Sequence, residues 1–175
     1  TIKESSREAI AELHALGVAS IMLTGDNVAT AKAIAKQAGI DDARGNLLPE
    51  DKLSAIEELQ KQYGYVAMTG DGINDAPALA RSNIGFAMGG AGTDTAMEAA
   101  DVVIMNDDLR RIPEAIRLSR RTQAILWQNI AMALGIKAVF LLLALFGGAT
   151  MWMAVFADMG ASLLVVFNGL RMLRK

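Results

Sequence analysis

The charged residues of this chain are so unevenly distributed that its two parts cannot share one environment. The 175 residues include 17 basic and 19 acidic side chains, yet only Lys137 and Asp158 are charged between positions 121 and 171. Over the whole chain, 53% of the residues are hydrophobic, which is high for a soluble protein. The nearly uncharged interval explains this high content. The sequence therefore predicts a polar part over residues 1–120 and a membrane-embedded part over residues 121–175.

Two apolar stretches dominate the second part. Residues 124–146 and 149–170 are each long enough to cross a bilayer, since about 20 helical residues span about 30 Å. Only Gly147 and Gly148 separate them, which predicts an antiparallel hairpin. Basic residues flank the hairpin on both outer sides, so the positive-inside rule places both ends in the cytoplasm. A buried hairpin inside a large soluble core is the alternative.

The two charges within the predicted hairpin lie at matched depths. Lys137 is ten residues before Gly147 and Asp158 is ten residues after Gly148, so both lie about 15 Å from the turn. Ionisable groups near the midplane are costly unless they are paired or hydrated. We expect the two groups to face one another or to share a wet cavity, and a structural ion pair that sets the helix register is the alternative. The small residues within 158–162 are expected to permit close helix approach.

The first part alternates helix-like and strand-like segments up to about residue 108. This alternation predicts an α/β domain with a mainly parallel sheet. Strands are predicted at residues 18–23, 65–68, 84–88 and 102–105, and helices at residues 27–38, 49–62 and 93–100. A further helix is expected to end at Gly17, and a polar helix from residue 108 is expected to continue into the membrane.

Polar loops follow two of the predicted strands, at residues 23–27 (LTGDN) and 68–75 (MTGDGIND). In open parallel sheets, ligands bind beyond the carboxyl ends of the strands. Asp71 and Asp75 supply hard oxygen ligands that are spaced to converge on one ion, and Mg²⁺ suits so small a set. Gly70 allows the backbone to approach an anion or metal closely. The second loop therefore predicts a Mg²⁺ site.

Thr24 and Lys52 are candidate contacts of a phosphoryl group. The hydroxyl of Thr24, followed by Gly25, can hydrogen-bond a phosphoryl oxygen. Lys52 lies in the first turn of a predicted helix, where the helix dipole does not favour a cation. This placement favours a role for Lys52 in neutralising a phosphoryl group. Residues 24–26 alone are also a common turn, so this segment by itself indicates little.

The composition excludes several classes of function. With no cysteine, the chain has no disulfide, no thiolate metal site and no cysteine nucleophile. A net charge of −2 argues against a nucleic-acid partner bound through bulk positive charge. The first residues lack the features of a secretory signal, and the chain starts with Thr1. We therefore expect it to be a piece of a longer protein.

The segment at residues 69–79 (TGDGINDAPAL) resembles the hinge motif of P-type ATPases, whose phosphorylation domain has a haloacid-dehalogenase-like fold. Residues 24–27, 49–52, 92–94 and 98–101 resemble further motifs of this family, in the family's order. The resemblance implies the end of a phosphorylation domain, with an incomplete Rossmann-like parallel sheet, followed by a two-helix transmembrane hairpin.

The resemblance also implies an aspartyl-phosphate mechanism, in which ATP phosphorylates an aspartate and hydrolysis drives alternating exposure of a membrane ion site. It implies that Thr24 and Gly25 contact the phosphoryl group and that Lys52 stabilises it. Asp71 and Asp75 would organise Mg²⁺. The predicted catalytic set is Thr24, Gly25, Asp26, Lys52, Asp71, Asn74 and Asp75, and the predicted cofactor contacts are Thr24, Gly25, Lys52 and Gly70.

Within the heavy-metal branch, a lysine in the penultimate span and Asp-x-Gly in the last span are similar to the zinc, cadmium and lead exporters. On this resemblance, Asp158 is a ligand of the transported metal and Lys137 is its counter-ion. Copper-type members carry Asn and Tyr in the penultimate span and a Met-x-x-Ser-Ser-like pattern in the last, and neither occurs here. A carboxylate also suits Zn²⁺ better than Cu⁺.

The family's phosphorylated aspartate, nucleotide-binding domain, actuator domain and cysteine-rich membrane motif all lie upstream in the family's order. The chain therefore resembles the C-terminal quarter of a pump and is expected to be inactive alone. Its expected partners are a divalent metal ion, the lipid bilayer and the rest of the pump. The expected location is a bacterial plasma (inner) membrane, crossed more than once.

Three alternatives remain open from the sequence. A Cu⁺-type pump is the first, and a degenerate membrane protein that only binds metal or a partner is the second. The third is a membrane-tethered phosphatase that does not transport. Such a phosphatase would need its own Asp-x-Asp nucleophile, which the chain lacks.

Overall fold

The computed structural model describes residues 2–89, 94–148 and 150–173. By their contacts these residues form two compact units, Thr1–Glu114 and Ala115–Lys175. We call them the polar unit and the helical unit. Each is described by itself.

The polar unit alternates short strands with helices. In chain order its elements are α1 (Glu4–Ala15), β1 (Ile21–Leu23), α2 (Val28–Ala38), β2 (Asp42–Arg44), α3 (Pro49–Tyr63), β3 (Ala67–Gly70), a 3₁₀ turn (Ile73–Asp75), α4 (Ala76–Arg81), β4 (Ile84–Met88), α5 (Asp94–Ala99) and β5 (Val102–Ile104). The long helix α6 (Arg111–Leu145) begins in this unit.

All of the strand pairs described are parallel. Strands β1 and β2 form one ladder, and β3, β4 and β5 form a second one in that order. The prediction of an α/β domain with a parallel sheet is confirmed. Parallel strands that end at the same edge of a sheet bring their following loops together.

The core of the polar unit lies around β3 and β4. Ile56 of α3, Met68 of β3 and Leu79 of α4 are buried there together with small alanines. A smaller cluster of Ala31, Ala35 and Ala43 packs α2 against β2. Alanines at these contacts let the helices lie close to the strands, because a methyl group is all that separates the backbones. This packing holds the start of α3 near the end of β3.

Local capping explains where the helices begin and end. The side chain of Asn27 accepts a hydrogen bond from the Thr30 N–H at 2.8 Å and caps α2, which ends at Gly39 with φ of 79°. Pro49 opens α3, and the Asp51 carboxylate accepts the Leu48 N–H at 2.9 Å. Gly39 and Pro49 are local signals of a helix end and a helix start, respectively, and helices were predicted at residues 27–38 and 49–62. Both predictions are confirmed to within one residue.

The strands differ more from prediction. The strand expected from residue 18 starts only at Ile21, because Ser20 is held by its bonds to Asp41. The strand expected at residues 65–68 lies instead at Ala67–Gly70, since the Val66 N–H donates to Asn83 Oδ1 rather than to a neighbouring strand. Strand β2 and helix α4 were not predicted at all. Residues 92 and 93 lie outside the described ranges. They belong to the predicted motif at residues 92–94, and residue 93 also begins the helix predicted at residues 93–100.

The helical unit contains most of α6 and the helix α7 (Met151–Leu170). Among the described residues, α6 is the one helix that by length and composition could cross a membrane, and none of its apolar window is buried within the structure. The apolar part of α7 is shorter, at Val155–Leu170. Gly147 has a φ of 73°, and the Gly148 N–H donates to Leu143 O at 2.9 Å, which closes α6.

Candidate functional site

The loop after β3 folds back over the end of its own strand. Asp75 ends the 3₁₀ turn and is buried, with its N–H donating to Gly72 O at 3.0 Å. A Cβ on Gly70 would lie 2.7 Å from Asp75 Cβ and 2.9 Å from Asp75 Oδ2. Only glycine at position 70 therefore lets the Asp75 carboxylate occupy this place.

Lys52 reaches Asp75 from the first turn of α3. Its Nζ donates to Asp75 Oδ1 at 2.7 Å, and the two side chains are only 15% and 12% exposed. The structure thus brings together two residues that the sequence assigned to one site from different segments. Each side chain of this partly buried ion pair balances a charge that would be costly to bury alone.

The loop after β1 is shaped by contacts with the segment that follows β2. Thr24 Oγ1 accepts the Asp26 N–H at 3.1 Å, and the Leu47 N–H donates to Thr24 O at 3.1 Å. A hydroxyl that accepts one bond still has its hydrogen to donate to an anion. A Cβ on Gly25 would meet only Leu47 O, at 3.5 Å. Among the described residues, a methyl group at position 25 would therefore make only ordinary contact.

Gly45 is a structural residue of this site that sequence reasoning missed. A Cβ there would lie 2.7 Å from Asp26 O and 2.8 Å from the Cα and N of Val28. The adjacent Asn46, at φ of 58°, donates its N–H to Asp26 O at 2.6 Å. A glycine after a short strand was the available signal.

The remaining predicted site residues lie on the surface. Asp26, Asp71 and Asn74 are exposed. Within the described ranges, no three histidine or acidic side chains cluster as a metal site. The prediction of Mg²⁺ therefore depends on Asp71 and Asp75 alone. Two carboxylates fit Mg²⁺, which commonly completes its shell with water and phosphate oxygens.

In the helical unit, the two charged residues of the apolar stretches at 124–146 and 149–170 lie close together. Lys137 Nζ lies 3.6 Å from Asp158 Oδ1. The expectation that they face one another is confirmed, although both side chains are about two-thirds exposed, at 67% and 69%. The expected close helix approach holds for Ala161, which is buried. It is wrong for Gly160, because a Cβ there would have nothing within 4 Å.

A second polar contact between α6 and α7 was not predicted. Asn168 Nδ2 donates to Asn129 Oδ1 at 2.8 Å, and Arg171 Nη1 donates to Asn168 Oδ1 at 3.0 Å. Neither asparagine was among the site residues predicted from sequence. Their amide groups in apolar helices were the available signal, since such groups hydrogen-bond across helices.

A third polar cluster ties α1 to the start of β2. His14 Nε2 lies 2.9 Å from Asp41 Oδ2, and the same oxygen accepts the Ser20 N–H at 2.7 Å. The Ser20 backbone bond, aided by the Ser20 hydroxyl and His14, holds the pKa of Asp41 below its usual value. His14 was not among the site residues predicted from sequence, but the structure gives it these partners.

Comparison with known proteins shows which sequences this chain resembles. The haloacid dehalogenase-like hydrolase family matches residues 1–83. A probable cadmium-transporting ATPase of Alkalihalophilus pseudofirmus is 55% identical over 99% of this chain. The zinc/cadmium/lead-transporting P-type ATPase of Escherichia coli is 49% identical over 100% of it. The chain belongs to the P-type ATPases. It covers 24% of the length of each of these two relatives.

A solved structure of this P-type ATPase family extends the similarity to the fold. The crystal structure of a zinc-transporting PIB-type ATPase in the E2.Pi state matches with a TM-score of 0.92 and 48% identity, over 99% of this chain and 28% of that chain. The predicted haloacid-dehalogenase-like domain followed by a helical hairpin is thus confirmed as the fold of this P-type ATPase segment.

Proposed function

We propose that this segment works within an ATP-driven exporter of Zn²⁺, Cd²⁺ or Pb²⁺. The observation that carries the proposal is the contact of Lys137 with Asp158 at 3.6 Å between two apolar helices. A carboxylate and an ammonium at this depth are costly to retain without a function. The relatives' names, which specify cadmium and zinc transport, support the choice of ion.

The polar unit would stabilise the phosphoryl group of an aspartyl phosphate formed elsewhere in the pump. Thr24 and Gly25 would hydrogen-bond its oxygens, and the hydroxyl hydrogen of Thr24 is available for this contact. Lys52 would neutralise its charge from the start of α3. Mg²⁺, held by Asp71 and Asp75, would offset the remaining negative charge.

Lys52 also keeps the Asp75 carboxylate in place. Its ammonium balances a nearly buried negative charge at 2.7 Å. If a divalent cation balanced the Asp75 charge instead, the Lys52 ammonium would be available to a phosphoryl oxygen. One side chain would therefore support the acidic loop and the transferred group in turn.

In the helical unit, Asp158 would be a ligand of the transported metal and Lys137 its internal counter-ion. The ammonium and a dication would compete for one carboxylate, so Lys137 would favour metal release. The two helices would form a hairpin in a bacterial plasma membrane with both outer ends in the cytoplasm. The lipid bilayer and the rest of the pump would be its partners.

The test uses the complete pump that contains this segment. Asp158→Ala should reduce zinc-stimulated ATP hydrolysis by at least about tenfold, the effect typical of losing support at a metal site. Lys137→Ala should slow turnover. Met159→Leu, a volume-conserving change next to the ligand, should leave stimulation unchanged.

Zinc, cadmium, lead and copper are compared in each variant. Unchanged zinc stimulation in Asp158→Ala would remove the metal assignment. Loss of copper stimulation with zinc stimulation intact would instead favour a Cu⁺-type pump.

A further inference from the structure

Two contacts between polar side chains of α6 and α7 lie at different levels of the hairpin. One is the Lys137–Asp158 pair at 3.6 Å, and the other is the Asn168–Asn129 hydrogen bond at 2.8 Å. Asn129 is eight residues before Lys137, and Asn168 is ten residues after Asp158. The two contacts are therefore about 12–15 Å apart along the helices.

The two contacts restrain the helices to different degrees. The ammonium of Lys137 sits on a flexible four-carbon stem, and both partners of the ion pair are about two-thirds exposed. Such a pair tolerates sliding and rotation of one helix against the other. Asn168 and Asn129 have short side chains, and their 2.8 Å bond is partly buried. The amide pair is therefore the more restrictive of the two contacts.

The orientation of the Asn168 amide is also determined. Arg171 Nη1 donates to Asn168 Oδ1 at 3.0 Å, and because arginine can only donate, this end of the amide must be the oxygen. The Nδ2 end then points to α6, where it donates to Asn129 Oδ1 at 2.8 Å and approaches Gln128 Oε1 at 3.4 Å. Arg121 Nη2 donates to Arg171 O at 2.6 Å and ties the end of α7 to α6.

We propose that Asn168 is a positioning residue, whose bond to Asn129 sets the register in which Lys137 lies opposite Asp158. A single amide within an apolar helix contact is known to specify register, and in a bilayer the separated amides would find few other partners. The functional part of this proposal rests on the proposed role of Asp158 as a metal ligand. Its structural part can be tested separately.

The absence of native cysteine allows a direct measurement on the full chain in lipid nanodiscs. Cysteines replace Lys137 and Asp158, and a short bifunctional thiol reagent measures how often the two positions are close. The ion pair is absent from this background, so the register must come from other contacts.

Two isosteric substitutions differ only in the direction of the hydrogen bond. Asn168→Asp keeps the oxygen that Arg171 contacts but loses the N–H given to Asn129, so cross-linking should slow by at least about threefold. Asn129→Asp keeps the acceptor and should cross-link at the parent rate. Asn168→Leu introduces no charge into the apolar helix, so a buried charge cannot cause its effect. It should slow cross-linking as much as Asn168→Asp does.

Parent rates in both Asn168 variants would overturn the proposal. A loss in Asn129→Asp as large as that in Asn168→Asp would overturn it too, because the direction of the bond would then not matter. In the complete pump, Asn168→Asp should raise the KM for zinc, whereas Asn129→Asp should not. If cross-linking behaves as expected while Asp158→Ala leaves zinc stimulation intact, the proposed metal role fails and the positioning role stands.

Discussion

Lys52 Nζ lies 2.7 Å from Asp75 Oδ1 and joins the first turn of α3 to the loop after β3. A cation near a helix N-terminus is opposed by the helix dipole. Here it is also largely buried, at 15% exposure. The carboxylate of Asp75 therefore offsets a placement that would otherwise destabilise the fold.

Replacing Lys52 by methionine should destabilise the polar unit by on the order of 3 kcal/mol, because Asp75 would be left as a nearly buried, unpaired charge. Urea unfolding followed by circular dichroism measures the change. Lys61→Ala, at an exposed position of the same helix, should stay within about 0.5 kcal/mol of the parent. The double variant Lys52→Met with Asp75→Asn should recover part of the loss. If Lys52→Met is as stable as Lys61→Ala, the pair has no structural role.

Gly70 and Gly72 lie in one loop but should respond differently to alanine. A Cβ at Gly70 would overlap Asp75, with 2.7 Å between the two Cβ atoms, whereas a Cβ at Gly72 would lie 3.8 Å from Asp75 Oδ2. Gly70→Ala should cost about 1–3 kcal/mol and should weaken Mg²⁺ binding measured by titration calorimetry. Gly72→Ala should change the free energy of unfolding by less than about 1 kcal/mol. Equal effects of the two changes would contradict the close approach of Asp75.

Alanine substitutions at Gly45 and Gly25, which lie near one another in the loops after β2 and β1, should have different effects. The first should lower stability, and the second should lower ligand affinity. Gly45→Ala would bring a methyl group to 2.7 Å from Asp26 O, so it should lower the free energy of unfolding by about 1–3 kcal/mol. Gly25→Ala meets only ordinary contact, at 3.5 Å from Leu47 O, so it should fold normally and lose affinity for a phosphate analogue such as fluoroberyllate in the complete pump. Normal stability of Gly45→Ala would show that the loop does not depend on this contact.

Asp41 should make the stability of the polar unit depend on pH in the acid range. The folded chain lowers the pKa of Asp41 below 3.8, chiefly through the Ser20 N–H. Its contribution is therefore fully present above pH 3.8 and is lost as the pH falls through the lower, folded-state pKa. Asp41→Asn should cost at most about 1 kcal/mol at pH 7, since the carboxylate is half exposed.

The cost of Asp41→Asn should shrink as acid protonates the parent carboxylate. Unfolding by urea between pH 7 and pH 2.5 measures this trend. Glu98→Gln, at an exposed carboxylate of α5, is the control and should stay within about 0.5 kcal/mol of the parent. A cost of Asp41→Asn that does not change with pH would show that charge is not what Asp41 contributes.

The helices of the polar unit were largely predictable because their end signals are local. Asn27, Gly39 and Pro49 act on backbone groups within a few residues, so the same chemistry is visible in the sequence and in the fold. Strand β2 (Asp42–Arg44) was not predictable in this way. Its residues have no apolar pattern, and it is a strand only because β1 lies beside it.

The residues of the candidate site also differ in whether a local sequence signal identifies them. Lys52 and Asp75 were recognised by their charge and by the motifs that contain them, and the structure brings them together. Gly45 was missed because its small size matters only against Asp26 and Val28, which reach it through the folded loop. A contact of that kind has no signature in the residue itself.

In the hairpin, the number of residues between two positions determines their depth but not the direction in which each side chain points. The uneven charge and the two glycines predicted the matched depth of Lys137 and Asp158, because helical rise per residue is constant. Which way each helix faces is not determined by rise. Rotation about the helix axes depends on side-chain packing and hydrogen bonds between helices. Only the tertiary structure therefore decided that Asn168 meets Asn129 while Gly160 faces open space.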